Sequence, residues 1–299
     1  MIMNNTKTLV LLGWFLMAFV TCMLTDATAV ASPFTLSVDA TSNLFGAGHS
    51  AVPLSDHGSG TLPPFVSLPT GHNRVVTFTT VTGSVSFDTL NSPPQYLGQY
   101  NGPDGGAILF QDSTWPNNYL TTSTPPGRLP PAEAGSPTYF YTDIASTAGI
   151  SGLTLFETTP TDRRAMFLAG VFTTDSEPSD PAPAILDFSS TSLGTSFTTL
   201  SPLLNQSFFI GDGLTGTGSG AVQQFLVPDA ATKLYFGIVD GQAFVGNPDY
   251  YDNNLGTFHV QGLVSSVPEI DPAGFGSIAA ILTGVFGLLE RRRRATGDG

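Results

Sequence analysis

The stretch Leu234–Val260 reads LYFGIVDGQAFVGNPDYYDNNLGTFHV and contains two β-strand patterns, the second of which continues beyond it. Leu234–Val239 and Thr257–Val264 are rich in aromatic and β-branched residues, which favour strands. The segment between them is rich in Gly, Asn and Asp, the residues that most often form turns. The stretch therefore predicts two strands joined by a long turn, with several oxygen-bearing side chains near the strand ends.

The same kind of short apolar run, bounded by turn residues, recurs along the chain. The other predicted strands are Phe34–Val38, Arg74–Val81, Gly83–Phe87, Leu153–Phe156, Ala165–Phe172, Ser207–Ile210 and Val222–Val227. Residues 32–264 show no sustained apolar period of the kind that indicates an amphipathic helix. We predict that they form one all-β domain, a β-sandwich or jelly roll.

Two segments interrupt this rhythm of strands. Residues 91–151 contain three proline pairs, and Asp175–Pro183 contains three prolines. Neither segment has enough periodic apolar sequence to form a core of its own. We therefore predict that both are long loops inserted in the single domain.

The polar turn of the first stretch suggests a cation site. Asp240, Asp249, Asp252, Asn253 and Asn254 supply carboxylate and amide oxygens within a short span of sequence. Calcium prefers six to eight oxygen ligands from carboxylates, amides and backbone carbonyls, at about 2.3–2.6 Å. The alternative is that these residues serve only the conformation of the turn, because Asp and Asn are common turn residues for that reason alone.

The order of residues in this stretch resembles the calcium-dependent galactophilic lectin family of the PA-I type. The shared pattern is an Asp at a strand end followed by Tyr-x-Asn-Asn-x-Gly-[Ser/Thr]-Phe-x-Val, here Asp240 and then Tyr251–Val260. The resemblance implies a galactose-binding-like jelly roll and a sugar whose hydroxyl groups bind through the ion. It therefore implies polysaccharide as a binding partner.

The resemblance also implies which residues hold the calcium ion. Asp240, Asn253 and Asn254 would contribute side-chain oxygens, and Tyr250 and Phe87 would contribute backbone carbonyls. The connection between Asp240 and Asn253 is longer here than in those lectins, so Asp249 is a further candidate ligand. Residues 91–151, where more sugar contacts would lie, do not align with the family.

The C-terminal segment, residues 267–294, combines a short motif, an apolar run and a basic end. The motif is Val267-Pro268-Glu269-Ile270-Asp271-Pro272, the apolar run covers residues 273–289, and the basic end is Arg291-Arg292-Arg293-Arg294. This order resembles the PEP-CTERM sorting signal of exported bacterial proteins. The resemblance implies cleavage by an exosortase-type sorting protease and delivery to the cell surface or extracellular matrix.

The physical properties of this segment agree with a transmembrane helix. Its 17 apolar residues would span roughly 26 Å as a helix, close to the hydrocarbon thickness of about 30 Å. The arginines are expected to stay on the cytoplasmic side, so the body of the chain would lie outside. The alternative is a buried apolar helix of a globular protein, which does not normally end in four consecutive arginines.

The N-terminal segment, residues 1–31, has the features of a secretory signal peptide. Lys7 precedes the apolar run Leu9–Val20, and Ala29-Val30-Ala31 forms an A-x-A cleavage site before Ser32. The one cysteine of the chain, Cys22, lies within this segment. The mature chain is therefore expected to have neither disulfides nor thiolate metal ligands.

The charge of the chain argues against nucleic acid as a partner. Residues 32–266 contain five basic and eighteen acidic residues, a net charge of −13. Nucleic-acid binding depends on clustered Lys and Arg that contact phosphates. An acidic exported domain is better suited to staying soluble and binding cations.

No motif predicts catalysis. His49, His57, His72 and His259 do not have the spacing of a zinc site, and no G-x-S-x-G nucleophile motif occurs. Three classes of function therefore stay open: a calcium-supported module that binds polysaccharide, a structural matrix component in which calcium serves only stability, and a glycan-acting enzyme. The third is the least favoured, because sequence spacing alone does not reveal a pair of catalytic carboxylates.

Overall fold

The computed structural model describes residues 30–87, 100–106, 109–110, 138–139, 141–157, 159 and 163–266. Within these ranges the chain forms β-strands and three-residue 3-10 turns at Leu44–Gly46, Gln242–Phe244 and Tyr251–Asn253. The described chain is therefore all-β, as predicted. In this part of the chain no helix has the length and apolar character needed to cross a bilayer.

The described ranges contain seventeen strands. They are β1 Val30–Asp39, β2 Phe65–Ser67, β3 Arg74–Ser86, β4 Leu109–Phe110, β5 Thr138–Tyr139, β6 Thr142–Ile144, β7 Leu153–Leu155, β8 Ala169–Thr173, β9 Leu186–Asp187, β10 Thr199–Leu200, β11 Ser207–Phe209, β12 Leu214–Gly216, β13 Ser219–Val222, β14 Gln224–Leu226, β15 Lys233–Gly237, β16 Val245–Gly246 and β17 Leu255–Ser266.

The two longest paired strands, β3 and β17, form the centre of a five-stranded sheet with the order β1-β17-β3-β14-β10. They run antiparallel from Leu255 opposite Ser86 to Ser266 opposite Arg74, with an irregularity at Gln261/Gly262. A Cβ atom at Gly262 would lie 2.4 Å from the Phe34 ring. This glycine is therefore required for close packing of β1 on β17.

A four-stranded sheet, β11-β8-β15-β2, packs face to face against the five-stranded sheet. Phenylalanine rings join the two sheets, with centroid distances of 6.1 Å for Phe78–Phe236 and 5.4 Å for Phe208–Phe225. Each fully buried side chain of this kind contributes about 1.5–3 kcal/mol. The apolar alternation in the predicted strands thus produces the layered core of a β-sandwich.

A second four-stranded sheet has the order β16-β6-β7-β9. Its strand β6 pairs antiparallel with β7 and parallel with β16. Since β6 lies within residues 91–151, that segment is not only the loop that the sequence predicts. In Asp175–Pro183, by contrast, no strand is present.

Each predicted strand is present, with different bounds at several places, but several short strands, among them β2, β6, β9, β10 and β16, were not predicted. Arg74–Val81 and Gly83–Phe87 belong to one strand, β3, which ends at Ser86. The predicted Ala165–Phe172 strand begins only at Ala169, because Met166 has a φ of +56° that breaks the extended backbone. The predicted Val222–Val227 strand is split at Gln223, whose side-chain amide donates to the carbonyls of Thr195 and Phe197 at 2.9 and 2.8 Å.

The predicted signal peptide falls mainly on residues outside the described ranges, although Val30 and Ala31 are part of β1. The predicted sorting segment, residues 267–294, lies wholly outside them. The structure describes the compact unit Ala31–Ser266.

Candidate metal centre

Asp240 lies just beyond the end of β15, in the interior of the protein. The chain leaves β15 at Gly237 and continues through Ile238 and Val239, which are buried, to Asp240, which is 2% exposed. The Ile238 N–H donates to the Ser42 carbonyl at 2.9 Å, which holds this extension in place. The predicted strand thus ends at Gly237, two residues earlier than the sequence indicates, and the structure adds that Asp240 is buried.

The Asp240 carboxylate accepts hydrogen bonds from two neighbours. Its Oδ1 accepts from the Gly241 N–H at 2.7 Å, and its Oδ2 accepts from Asn254 Nδ2 at 2.8 Å. A carboxylate has about four acceptor positions, so both oxygens keep capacity for a further ligand. Burial raises the pKa of Asp240 to about 7, against the lowering effect of the bonds from Asn254 and Gly241.

Tyr251 fixes the position of Asp240 through its hydroxyl group. The Asp240 N–H donates to this hydroxyl at 3.0 Å, and the hydroxyl donates to the Ile238 carbonyl at 3.2 Å. The Tyr251 side chain is fully buried. The tyrosine therefore ties the turn before β17 to the end of β15.

Asn254 is oriented by two acceptors on the same side of its amide. Its Nδ2 donates to Asp240 Oδ2 at 2.8 Å and to the Ala40 carbonyl at 3.2 Å. Because both partners are acceptors, the nitrogen and the oxygen of this amide cannot be interchanged. Asn254 Oδ1 consequently faces away from them, and it is buried with no hydrogen-bond partner among the described residues.

Asn253 presents a second orphaned oxygen. Its Oδ1 is also buried and has no partner in the described part of the chain. A buried acceptor left without a partner costs about 1–3 kcal/mol, and such groups in native proteins call for a specific explanation, such as an ion or an ordered water. The two oxygens belong to consecutive residues, and Asn254 is bonded to the buried Asp240 carboxylate, so both are candidate amide ligands of a cation.

Asp249 is directed to His57 instead. Its Oδ1 accepts from the N–H groups of His57 and Tyr250 at 2.9 and 2.8 Å, and its Oδ2 lies 2.7 Å from His57 Nδ1. Although partial burial raises the pKa of Asp249, the hydrogen bonds, led by that of His57, bring it below its usual value. Both oxygens of Asp249 therefore have partners without an ion, and we leave this residue out of the ligand set.

The segment His57–Gly60, which we call the strap, holds the turn that carries the asparagines. The Tyr251 N–H donates to the Gly58 carbonyl at 2.9 Å, and the Gly60 N–H donates to Asp252 Oδ1 at 2.8 Å. Gly60 has a φ of +73°, and a Cβ atom there would lie 2.5 Å from the Tyr251 Cβ. This contact requires glycine on both conformational and steric grounds.

The strap was not predicted from the sequence. Its contacts join residues about 190 positions apart, such as His57 and Asp249, which are separated by 192 positions. The sequence feature that points to the strap is the pattern Gly58-Ser59-Gly60, which indicates a tight turn but does not show which segment the turn contacts.

Tyr250 and Phe87 are the candidate sources of backbone carbonyls. Tyr250 has left-handed backbone angles, φ 68° and ψ 20°, and its ring stacks on the His57 ring at 4.7 Å. Phe87 directly follows β3, and Asn254 directly precedes β17. Since Leu255 pairs with Ser86, Phe87 and Asn254 lie at the same end of these two strands. The Phe87 carbonyl also accepts from the Ser86 hydroxyl at 3.2 Å.

The residues present fit calcium better than a transition metal. The candidate donors are one carboxylate, two amide oxygens and two carbonyls, which are hard oxygen ligands of the kind that calcium takes. Within the described ranges, no three His, Cys, Asp or Glu side chains form a group that could hold a metal. A calcium site with a single carboxylate does not need such a group.

The four histidines share no hydrogen-bond or ion-pair partner among the described residues. His49 Nδ1 lies 2.8 Å from Glu177, His57 contacts Asp249 as described above, His72 Nδ1 lies 2.9 Å from Asp229, and His259 Nδ1 lies 3.1 Å from the Ser37 hydroxyl.

Comparisons with known proteins identify no relative: no family model, no curated protein and no solved structure matches the chain.

Proposed function

We propose that this protein is an exported component of the cell surface or extracellular matrix, with a β-sandwich body that is stabilised by one calcium ion. The observation that carries this proposal is the pair of buried, unpartnered oxygens of Asn253 and Asn254, with Asn254 bonded to the buried Asp240 carboxylate. In this proposal the body has the jelly-roll topology of galactose-binding-like domains.

Asp240, Asn253 and Asn254 would hold the ion with their side chains, and Tyr250 and Phe87 would hold it with backbone carbonyls. Calcium would supply the positive charge that offsets the cost of burying an ionised Asp240. The chain's own contribution is orientation: Tyr251 positions Asp240, and Ala40 fixes the amide of Asn254.

The burial of the candidate ligand oxygens favours a stabilising role for the ion. Asp240 and Asn254 are each 2% exposed, and the orphaned amide oxygens are buried. A lectin that binds a sugar through its ion needs coordination positions open to solvent. The lectin function is therefore our second candidate, supported by the sequence order of Asp240, Asn253 and Asn254.

The delivery of the protein rests on its two ends. We propose that residues 1–31 direct export and that residues 267–294 hold the chain in the membrane until an exosortase-type protease cleaves it. The composition of the body supports this, because it has no cysteine and carries a net charge of −13. Because a body without cysteine cannot form disulfides, bound cations would be a means of linking distant segments of it.

Thermal unfolding of the purified full chain, in calcium and in chelator, tests the calcium site. We expect a higher melting temperature in calcium for the wild type and a much smaller difference for Asp240→Asn. Equal melting temperatures of the wild type in both conditions would exclude the site.

Pull-down of polysaccharides in calcium and in chelator separates the two candidate functions. Chelator-sensitive binding that Asn254→Ala abolishes would favour the lectin. Turnover of the polysaccharide, lost on single carboxylate substitutions, would instead establish a glycan-acting enzyme.

A further inference from the structure

A polar cleft of about 770 Å³ lies in a different part of the body, and the proposed calcium ligands do not line it. Its walls include Gly105, Glu157, Arg163, Arg164, Ser190 and Thr217. A volume in this range is typical of small-molecule sites. The cleft therefore has the size and polarity to hold a short polar ligand.

Arg164 is the least satisfied cation in the cleft. Its one described hydrogen bond joins Nη1 to the Asp104 carbonyl at 3.5 Å, beyond the usual N–H···O range of about 2.7–3.2 Å. Burial raises the pKa of the nearby Asp104 carboxyl, and the Arg164 guanidinium acts in the opposite direction. The two groups nevertheless form no salt bridge, and Asp104 Oδ1 accepts from the Asp212 N–H at 2.9 Å. In a body with eighteen acidic residues, a half-buried arginine without an ion pair among the described residues has donors to offer a ligand.

Two other groups of the cleft are held in fixed positions. The Arg163 guanidinium lies over the rings of Tyr141 and Phe156 at 5.5 and 5.4 Å. Glu157 accepts from the Ser190 N–H at 2.8 Å and also from the Ser190 hydroxyl. Each Glu157 carboxylate oxygen accepts one of these bonds and keeps a second acceptor position. The cleft thus presents an immobilised carboxylate and a guanidinium with available donors in one cavity.

This combination selects a particular ligand chemistry. A guanidinium matches the planar geometry of a carboxylate, whereas Glu157 accepts from hydroxyl groups and repels a dianion such as a phosphate monoester. A ligand that carries both a carboxylate and many hydroxyls satisfies both groups. The negative charge of the body disfavours a polyanion, but screening within about 8 Å at physiological ionic strength leaves the charges of the cleft itself, which include Arg163 and Arg164, to decide whether a carboxylate binds there.

We propose that this cleft binds a polysaccharide with uronic acid units, with Arg164 on a carboxylate and Glu157 on a ring hydroxyl. The inference rests on the proposed function, in that a surface or matrix protein meets such polymers. It also deepens that function, since it places saccharide binding away from the calcium ion. Binding at this cleft needs no calcium.

The test uses the purified full chain and two oligosaccharides of equal length, an oligogalacturonate and a neutral galacto-oligosaccharide. Calorimetry in chelator is expected to show binding of the oligogalacturonate and at least tenfold weaker binding of the neutral oligomer. Arg164→Gln should weaken oligogalacturonate binding at least tenfold, and Arg164→Lys should fall between, because it keeps the charge without the planar fork. Lys233→Gln, which removes a positive charge outside the cleft, is the matched control and should change affinity less than twofold.

Three outcomes would overturn the proposal: equal binding of the two oligosaccharides, no binding of either, or unchanged affinity in Arg164→Gln. Saccharide binding that chelator abolishes would place the sugar at the ion instead. Melting curves of each variant establish that it is folded. The calcium-dependent melting shift is measured separately, so loss of that shift counts against the proposed calcium site and not against the cleft.

Discussion

Replacing Asn253 with leucine should not lower the stability of the protein in chelator, but it should reduce the stabilisation that calcium provides. Asn253→Leu keeps the branched shape and the number of heavy atoms in the side chain, and it removes the buried oxygen that has no partner among the described residues. In chelator the variant should be at least as stable as the wild type, because relief of an unpaired buried acceptor is worth about 1–3 kcal/mol. In calcium the variant lacks a ligand, and its stability should rise less than that of the wild type.

The size of the effect follows from mass action. Calcium at 100 times the dissociation constant stabilises the folded state by about 2.7 kcal/mol, which for a domain of this size raises the melting temperature by about 5–11 °C. If loss of the Asn253 oxygen weakens binding tenfold, the stabilisation at the same calcium concentration falls to about 1.4 kcal/mol. The expected shift is then about 3–6 °C.

Differential scanning calorimetry of wild type and variant, each in calcium and in chelator, measures the four melting temperatures. Leu255→Ala serves as the control, because its side chain has no ligand oxygen and it should keep the full calcium shift. The reasoning is refuted if Asn253→Leu shows the same calcium shift as the wild type. It also fails if the variant is destabilised in chelator by as much as in calcium, since the asparagine oxygen would then stabilise the fold without an ion.

The remaining predictions concern pH, the strap and the sorting segment. The pKa of Asp240 is raised to about 7, so its contribution to stability in chelator is fully present below pH 4 and is lost as the pH rises through 7. The increase in melting temperature caused by calcium should grow over the same interval, because the ion requires the ionised form. In a pH series of melting curves, Asp240→Asn should remove both trends. Gly60→Ala should destabilise the protein by more than Gly218→Ala. Both residues have a positive φ, but only a Cβ at Gly60 meets other atoms. Equal losses of unfolding free energy in urea would mean that the strap contact is not tight. Mass spectrometry of secreted protein should find no peptide containing Arg291–Arg294. A double alanine substitution of Pro268 and Glu269 should retain the chain in the membrane. Release of this variant at the wild-type rate would show that the motif has no sorting role.

The sequence predicted the long strands, because their information is local. In β3, for example, Val76 and Phe78 are buried and the residues that alternate with them are more exposed, which is the pattern visible in the sequence. The strand β6 was missed because three residues, Thr142–Ile144, are too few to show a period. The break at Gln223 was missed because its cause is a side-chain bond to residues about 26–28 positions away.

The sequence predicted only part of the candidate site, because contacts between distant residues leave no local pattern. Asp240 and Asn254 are 14 positions apart and were predicted to lie together, and a hydrogen bond of 2.8 Å joins them. Asp249 was included as a candidate ligand because it lies between them in sequence. Its actual partner, His57, is 192 positions away, and no local pattern reports such a contact.

The position of the site in the fold explains what a bound ion would add. Asp240 follows β15 in one sheet, whereas Asn254 and Phe87 lie at the ends of β17 and β3 in the other. Asn254 also reaches back 214 positions to Ala40, just beyond the end of β1. An ion held by these residues would join the two layers of the sandwich at one end, in addition to the hydrogen bond between Asn254 and Asp240. A disulfide bond has this effect in many exported proteins, and the mature chain expected here has no cysteine to form one. The stabilisation by calcium should therefore act on the cooperative unfolding of both sheets, and one unfolding transition should shift as a whole.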